Sequence, residues 1–143
     1  MRIQCISVLA AIAAGCASPS HPGDPGNITT GIQVQTGREF EIAAGQEAQV
    51  QGTAVTVRFV GVGEDSRCPV DVQCVWAGDA VVRLTFAASG APSAEAALHT
   101  TLDPKSASFA GYSVRLTGLR PAPRSGTTIP PASYVATLEI RPL

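Results

Sequence analysis

The chain has 143 residues, a formal charge of −1 and charged side chains at only 15% of its positions. This composition excludes a nucleic-acid binder that works through a basic patch, because such a patch needs clustered Lys and Arg. Scarce charge together with 14 Gly and 11 Pro also argues against a coiled coil and against a charge-rich disordered chain.

The first sixteen residues have the features of a secretory signal. Arg2 precedes an apolar run at 3–14, which is too short to stay in a membrane because a spanning helix needs about 20 apolar residues. Small residues end the run directly before Cys16. This arrangement resembles the lipobox of bacterial lipoproteins, in which the cysteine sulfur receives a diacylglyceryl group. The resemblance implies a signal peptide over 1–15 and a lipidated Cys16.

Lipidation at Cys16 would anchor the mature chain, since two or more acyl chains hold a protein stably on a membrane. Ala17 follows the cysteine where inner-membrane lipoproteins carry an acidic residue, so the resemblance implies the outer membrane, or the cell surface in an organism without one. The alternative is an ordinary signal peptide, cut near Ala14 or Ala17, that leaves Cys16 as a free thiol.

Residues 16–37 are predicted to form a flexible tether between the lipid and a folded domain. The segment is rich in Pro, Gly, Ser and Thr and holds too few large apolar side chains to order itself. Twenty such residues have a root-mean-square span of about 25 Å, which would hold a small domain clear of the headgroups. The domain is therefore expected to comprise residues 38–143.

Apolar residues alternate with polar ones through residues 38–143, as in half-buried strands. Gly and Pro clusters separate the runs, which is typical of a sandwich or barrel of short strands. The inward-facing residues are predicted to be Phe40 and Ile42; Val55, Val57 and Phe59; Val82, Leu84 and Phe86; Tyr112, Val114 and Leu116; and Tyr134, Ala136, Leu138 and Ile140.

Two segments are ambiguous in this pattern. Val60 and Val62 fall on the opposite face of their strand, so that strand is either buried on both faces or bulged near Gly61. Residues 92–98 fit either a helix or a strand. About seven strands in this length predict an all-β fold, either a single antiparallel β-sandwich of immunoglobulin-like size or a partly open barrel.

The densest motif spans residues 63–80 and contains two cysteines, four acidic residues and the only tryptophan. Export places Cys68 and Cys74 in an oxidising compartment, where a local disulfide is expected. Closing this short loop contributes about 2 kcal/mol in the chain-entropy model. Pro69 stiffens the loop further because its ring fixes φ.

Other chemistries fit the motif less well. Structural zinc needs four N or S ligands, but the cysteine spacing is C-x5-C and His99 is the only histidine in the predicted domain. A thioredoxin-like redox centre needs C-x-x-C. Calcium could use the hard oxygens of Glu64, Asp65, Asp71 and Asp79, although these residues lack EF-hand spacing.

Two interpretations of the motif stay open. In a structural role, Trp76 covers the core and Arg67 pairs with Asp65 or Asp79. Aromatic residues and cysteines of small secreted domains usually serve packing in this way. In a binding role, the braced loop is a rigid platform that loses little entropy when a partner binds. The candidate residues for either role are Asp65, Ser66, Arg67, Pro69, Trp76 and Asp79.

The string DSRCP at 65–69, followed by C-x-W-A-G at 74–78, resembles a motif of uncharacterised bacterial secreted proteins and lipoproteins. The resemblance extends to Gly45-Gln46 and to the runs at 112–116 and 134–140, so it covers most of the domain. The group has no established activity, and the resemblance implies a fold and an exported location.

The sequence contains no G-x-S-x-G and no phosphate-binding glycine loop, and no catalytic motif surrounds His99. We therefore predict a membrane-anchored lipoprotein whose domain is non-catalytic, needs no cofactor, and binds an envelope protein or component or supports the envelope structurally. The alternative is an exported protein that binds calcium or copper, or is weakly catalytic, through the acidic loop at 64–79.

Overall fold

A computed structural model describes residues 31–143 of the chain. These residues form nine strands and one short 3-10 helix: β1 (Ile32–Val34), β2 (Glu39–Ala43), β3 (Glu47–Val50), β4 (Thr56–Asp65), β5 (Ala80–Ala88), β6 (Ala91–His99), β7 (Ser106–Phe109), β8 (Tyr112–Arg120), the helix Pro131–Ser133, and β9 (Val135–Pro142). Helical structure in the described range is too short to cross a membrane.

The strands are arranged in two sheets. The first sheet has five strands in the order β1-β3-β4-β5-β6, and the second has four in the order β2-β9-β8-β7. Neighbouring strands pair antiparallel, except β1 and β3, which run parallel. The all-β prediction is confirmed, and of the two predicted architectures the structure is the sandwich.

The hydrophobic core lies between the sheets, because alternate side chains of each strand face inward. Burying one Val, Leu, Ile or Phe side chain contributes about 1.5–3 kcal/mol, so this layer is the main source of stability. The largest fully buried side chains are Phe59, Ile42, Leu84, Leu98, Leu138, Ile140, Val50, Val57, Val82 and Val114.

The structure has nine strands where the sequence predicted about seven, and the short strands β1, β3 and β7 match none of the predicted alternating runs. Strand β1 lies inside the segment 16–37 that was predicted to be tether. Val34 in this strand is buried, and its carbonyl accepts a hydrogen bond from the Gln51 N–H at 2.8 Å. The ordered sheet therefore includes residues before the predicted boundary at 38. The predicted signal peptide, the predicted lipidation site at Cys16 and the predicted tether up to residue 30 lie outside the described residues.

Strand β4 resolves the ambiguity at Val60 and Val62. Its register with β5 shifts between Phe59 and Gly61 and again before Asp65, so the strand is bulged. Val60 is half exposed as a result, whereas Val62 packs against the core. The second ambiguous segment, 92–98, is part of strand β6.

The dense motif forms the connection between β4 and β5, and we call residues 66–79 the motif loop. Strand β4 ends where β5 begins, and His99 at the end of β6 lies opposite Val81. The motif loop therefore lies at the end of the sandwich where β6 finishes, and we call this the loop end.

Candidate functional site

Arg67 fastens the motif loop to both sheets. Its Nε and Nη2 donate to the two carboxylate oxygens of Asp65, the last residue of β4, at 2.8 and 2.7 Å. Its Nη1 and Nη2 also donate to the backbone carbonyls of Leu119 and Pro121 at 2.8 and 2.9 Å. Of the two predicted partners of Arg67, Asp65 is the one that it contacts in the structure. The guanidinium thereby joins the first sheet to the end of β8.

Tyr134 completes this network from the second sheet. Its hydroxyl donates to Oδ2 of Asp65 at 2.9 Å. Burial raises the pKa of Asp65, but the hydrogen bonds from Arg67 and Tyr134 outweigh burial and the pKa is lowered. Asp65 is therefore ionised at neutral pH, and its bonds to Arg67 are charge-assisted, which makes them stronger than neutral ones.

Asp79 closes the other side of the motif loop. One of its oxygens lies 2.5 Å from Nδ1 of His99, and Nδ1 carries the proton because an ionised carboxylate only accepts. The other oxygen accepts from the hydroxyl of Thr100 at 3.2 Å and from the backbone N–H groups of Thr101 and Leu102 at 2.9 and 3.4 Å. Burial raises the pKa of Asp79, but these hydrogen bonds, led by that from His99, lower it to about 2.

The loop backbone is closed by a disulfide and by cross-loop hydrogen bonds. Cys68 and Cys74 are bonded, with their Cα atoms 5.9 Å apart, so the predicted bridge is present. The Ser66 N–H donates to the Asp79 carbonyl at 2.7 Å, and the Cys68 N–H donates to the Ala77 carbonyl at 2.9 Å. The two arms of the loop are therefore held together at its base.

Gly78 is required at the point where the arms approach most closely. Its φ is +68°, and a Cβ at this position would lie 1.8 Å from the carbonyl oxygen of Ser66. A side chain would therefore need both a strained backbone and a wider loop. The close approach of the Ser66 backbone therefore explains the glycine of the W-A-G part of the motif.

The middle of the motif loop is docked on the connection between β8 and β9. The Val70 N–H donates to the carbonyl of Pro123 at 3.0 Å. Oδ1 of Asp71 accepts from the backbone N–H of Ser125 at 2.8 Å. The Val72 N–H donates to the carbonyl of Pro69 at 3.3 Å, which makes a local turn. These bonds hold a loop that is exposed throughout residues 70–77.

Four apolar side chains of this braced loop are exposed to solvent, and we call them the apolar tip. The exposed fractions are 59% for Val70, 45% for Val72, 93% for Val75 and 83% for Trp76. The predicted structural role of Trp76 as a cover of the core is therefore wrong. Its indole lies on the outer part of a loop that extends past the ends of β4 and β5.

In the motif loop the charged side chains bind within the protein and the apolar side chains are exposed, which is the reverse of the usual arrangement. Arg67, Asp71 and Asp79 each bind groups of the protein itself, whereas the apolar tip faces water. Surface loops normally expose polar groups, and a clustered apolar patch marks an interaction site more often than a scattered apolar residue does. The geometry thus combines a structural network inside the loop with an exposed apolar surface outside it.

Three of the four acidic residues considered as metal ligands, all except Glu64, have separate partners in the structure. Asp65 binds Arg67, Asp71 binds the Ser125 backbone, and Asp79 binds His99. Within residues 31–143, His, Cys, Asp and Glu side chains form no group of three or more that could hold a metal ion.

Sequence reasoning missed the residues that join the loop to the rest of the fold. Tyr134 carried only a strand signal, and the carbonyl groups of Leu119 and Pro121 carry no side-chain signal at all. No motif surrounds His99 in the sequence, and the structure adds its bond to Asp79. Long sequence separation hides each of these contacts.

Comparison of the chain with protein-family models, with curated proteins and with solved structures found no match. The functional argument therefore depends on the geometry of the motif loop.

Proposed function

We propose that the chain is a lipoprotein that acyl groups on Cys16 attach to a membrane, and that its β-sandwich is a non-catalytic binding module of the cell envelope. The apolar tip is the binding surface in this proposal. The observation that carries it is the exposure of Val75 and Trp76 on a loop whose charged side chains, Arg67, Asp71 and Asp79, bind groups of the protein itself.

The braced loop suits binding for an energetic reason. Covering apolar surface stabilises a complex by about 25 cal/mol per Å², and ordering a loop on binding works against that gain. Here the disulfide and the Arg67 network order the loop before it meets a partner. Most of the apolar gain is then retained in the complex.

Attachment through Cys16 is tested by feeding cells an alkyne-labelled palmitate and isolating the protein. The parent chain and Cys5→Ser should carry the label, because Cys5 is removed with the signal peptide, whereas Cys16→Ser should not. Globomycin should make the unprocessed precursor accumulate. An unlabelled parent chain, or label that persists in Cys16→Ser, would contradict the anchor.

Binding through the apolar tip is tested in living cells with a photo-crosslinking amino acid at position 76. Position 143 is the matched control, because Leu143 is also exposed, at 78%. Its N–H donates to the carbonyl of Gly111, at the end of the sandwich opposite the loop end. We expect adducts with a protein or a lipid from position 76 and few from position 143. Equal yields at the two positions would contradict the assignment of the binding surface.

A further inference from the structure

We propose that the apolar tip docks on the surface of the lipid bilayer itself, so that the loop end of the sandwich faces the membrane. This inference depends on the proposed lipid anchor at Cys16 and identifies the partner of the same surface. Its three supports are the direction in which the chain enters the sandwich, the length of chain before β1, and the chemistry of the exposed side chains.

The direction of β1 shows from which side the described chain enters the first sheet. Strand β4 runs toward the loop end and finishes there, and β3 is antiparallel to it. Strand β1 is parallel to β3, so both begin nearer the loop end and run away from it. The N-terminal end of β1, at Ile32, is therefore directed toward the loop end.

The chain before β1 is long enough for Cys16 and the apolar tip to meet one membrane surface. Ile32 pairs with Ala48, which pairs with Val57 of β4. From Val57 to Asp65 the strand advances about 25 Å at its usual rise of 3.2–3.4 Å per residue. The segment from Cys16 to Ile32 can span up to about 50 Å, so it reaches past the end of β4.

The chemistry of the apolar tip favours lipid over a protein partner. Binding energy in protein interfaces is concentrated in Trp, Tyr and Arg, and Val is under-represented. Here three of the four exposed apolar residues are Val, and Arg67 is turned inward to Asp65. Tryptophan is typical of the membrane–water interface, where its ring is apolar and its N–H stays hydrated.

The charges of the loop do not oppose contact with lipid. Between Cys68 and Gly78 the only charged residue is Asp71, and its carboxylate accepts from the Ser125 backbone. Leu102 adds a further exposed apolar side chain at the loop end, where its N–H binds Asp79. A shallow contact of this kind is weak alone, but a tether to the same surface gives it a high effective concentration.

The test uses the fluorescence of Trp76, which is the only tryptophan of the chain. The processed, acylated protein is reconstituted into vesicles of phosphatidylethanolamine and phosphatidylglycerol, with and without bromine on the acyl chains. We expect a blue-shifted emission in both vesicles and a loss of intensity specific to the brominated lipid. Val75→Asp should reduce that loss about twofold or more, because it places a charge at the lipid contact.

Leu143→Asp is the matched control, because it adds the same charge to an equally exposed apolar position away from the loop end. It should leave the quenching unchanged. Trp76 emission that is neither shifted nor quenched in vesicles that carry the protein would overturn lipid docking, while the anchor and a protein-binding loop would survive. Adducts exclusively with protein from position 76 in cells would also overturn it. Protein that fails to float with the vesicles would contradict the anchor as well.

Discussion

At the scale of single residues, the motif is explained by backbone approach and charge pairing more than by exposed chemistry. Arg67 satisfies Asp65 and two carbonyl groups, and Gly78 lets the two arms of the loop close. Trp76 is the exception, because it is 83% exposed and is not part of the core. A residue that is dispensable for the fold but fixed in position is a candidate for contact with another molecule.

Arg67→Ala should lower the free energy of unfolding by about 2–4 kcal/mol, because it removes the opposite charge beside Asp65 and leaves the carbonyls of Leu119 and Pro121 without their donor. Arg120→Ala is the matched control, since its pair with Glu41 is exposed on both sides, at 58% and 54%, and such pairs contribute little. Urea denaturation of both variants gives the comparison. Equal losses would show that the Arg67 network has no special structural role.

Gly78→Ala should destabilise the protein by more than about 3 kcal/mol or open the loop, because of the contact with the Ser66 carbonyl. Gly90→Ala has a similar φ, +77°, but nothing within 4 Å of the added Cβ. It should lose only the cost of the left-handed backbone, about 1–2 kcal/mol. Thermal unfolding separates the two, and a smaller loss at Gly78 than at Gly90 would refute the close approach.

Asp79 should make stability depend on acid pH. Its pKa is lowered from 3.8 to about 2 in the folded protein, so its contribution is complete above pH 4 and is lost as the pH falls toward 2. The contribution is about 1–2 kcal/mol after allowance for partial exposure. In Asp79→Asn the decline in urea midpoint between pH 4 and pH 2 should be shallower than in the parent. Parallel declines would contradict it.

At the scale of elements, the motif loop is an insertion between two core strands that remains ordered without a core of its own. Strands β4 and β5 are buried by alternation, but residues 70–77 are all exposed. Order in that segment comes from the disulfide, from Arg67 and from backbone bonds to Pro123 and Ser125. The disulfide and the polar contacts therefore hold the loop that carries the apolar tip.

Replacing Cys68 and Cys74 together by Ser should remove about 2 kcal/mol of stability, by the loop-entropy argument. The same change should speed amide hydrogen exchange within residues 68–78, while β4 and β5 keep their protection relative to global stability. Hydrogen-exchange mass spectrometry measures both segments in one experiment. Unchanged exchange in the loop would mean that the polar contacts alone hold it.

The sequence predicted the strands that alternate over a full core face and missed those that do not. Ala136, Leu138 and Ile140 of β9 are all buried, and this regular period was visible in the sequence. Strands β1, β3 and β7 have three or four residues each, too few for a period to stand out. Strands β3 and β7 are ordered by pairing with the strand that follows each of them, and β1 is ordered by pairing with β3, 16 residues further along the chain.

For the site too, the sequence indicated the local contacts and missed the long-range ones. The Cys68–Cys74 bridge and the Arg67–Asp65 pair are local, so spacing indicated both. The bond between Asp79 and His99 joins residues 20 apart and depends on the pairing of β5 with β6. The position of Trp76 was predicted wrongly, because burial is the usual state of an aromatic residue and nothing in the local motif shows that the loop extends beyond the core.

At the scale of the whole molecule, the two ends of the sandwich differ in structure. One end carries the motif loop, the turn after His99 and the connection after β8, which Arg67, Asp79 and Asp71 tie together. The N-terminal end of β1 is also directed toward that side. This arrangement is compatible with the proposal that the lipid anchor and the apolar tip meet one membrane surface.

Acrylamide quenching of Trp76 fluorescence measures the exposure of the indole, on which the proposed binding surface depends. The measurement uses the chain without acyl groups, folded and in denaturant, with no lipid present. We expect the folded protein to be quenched nearly as strongly as the unfolded one. Strong protection in the folded state would place the indole against the core and contradict the binding surface.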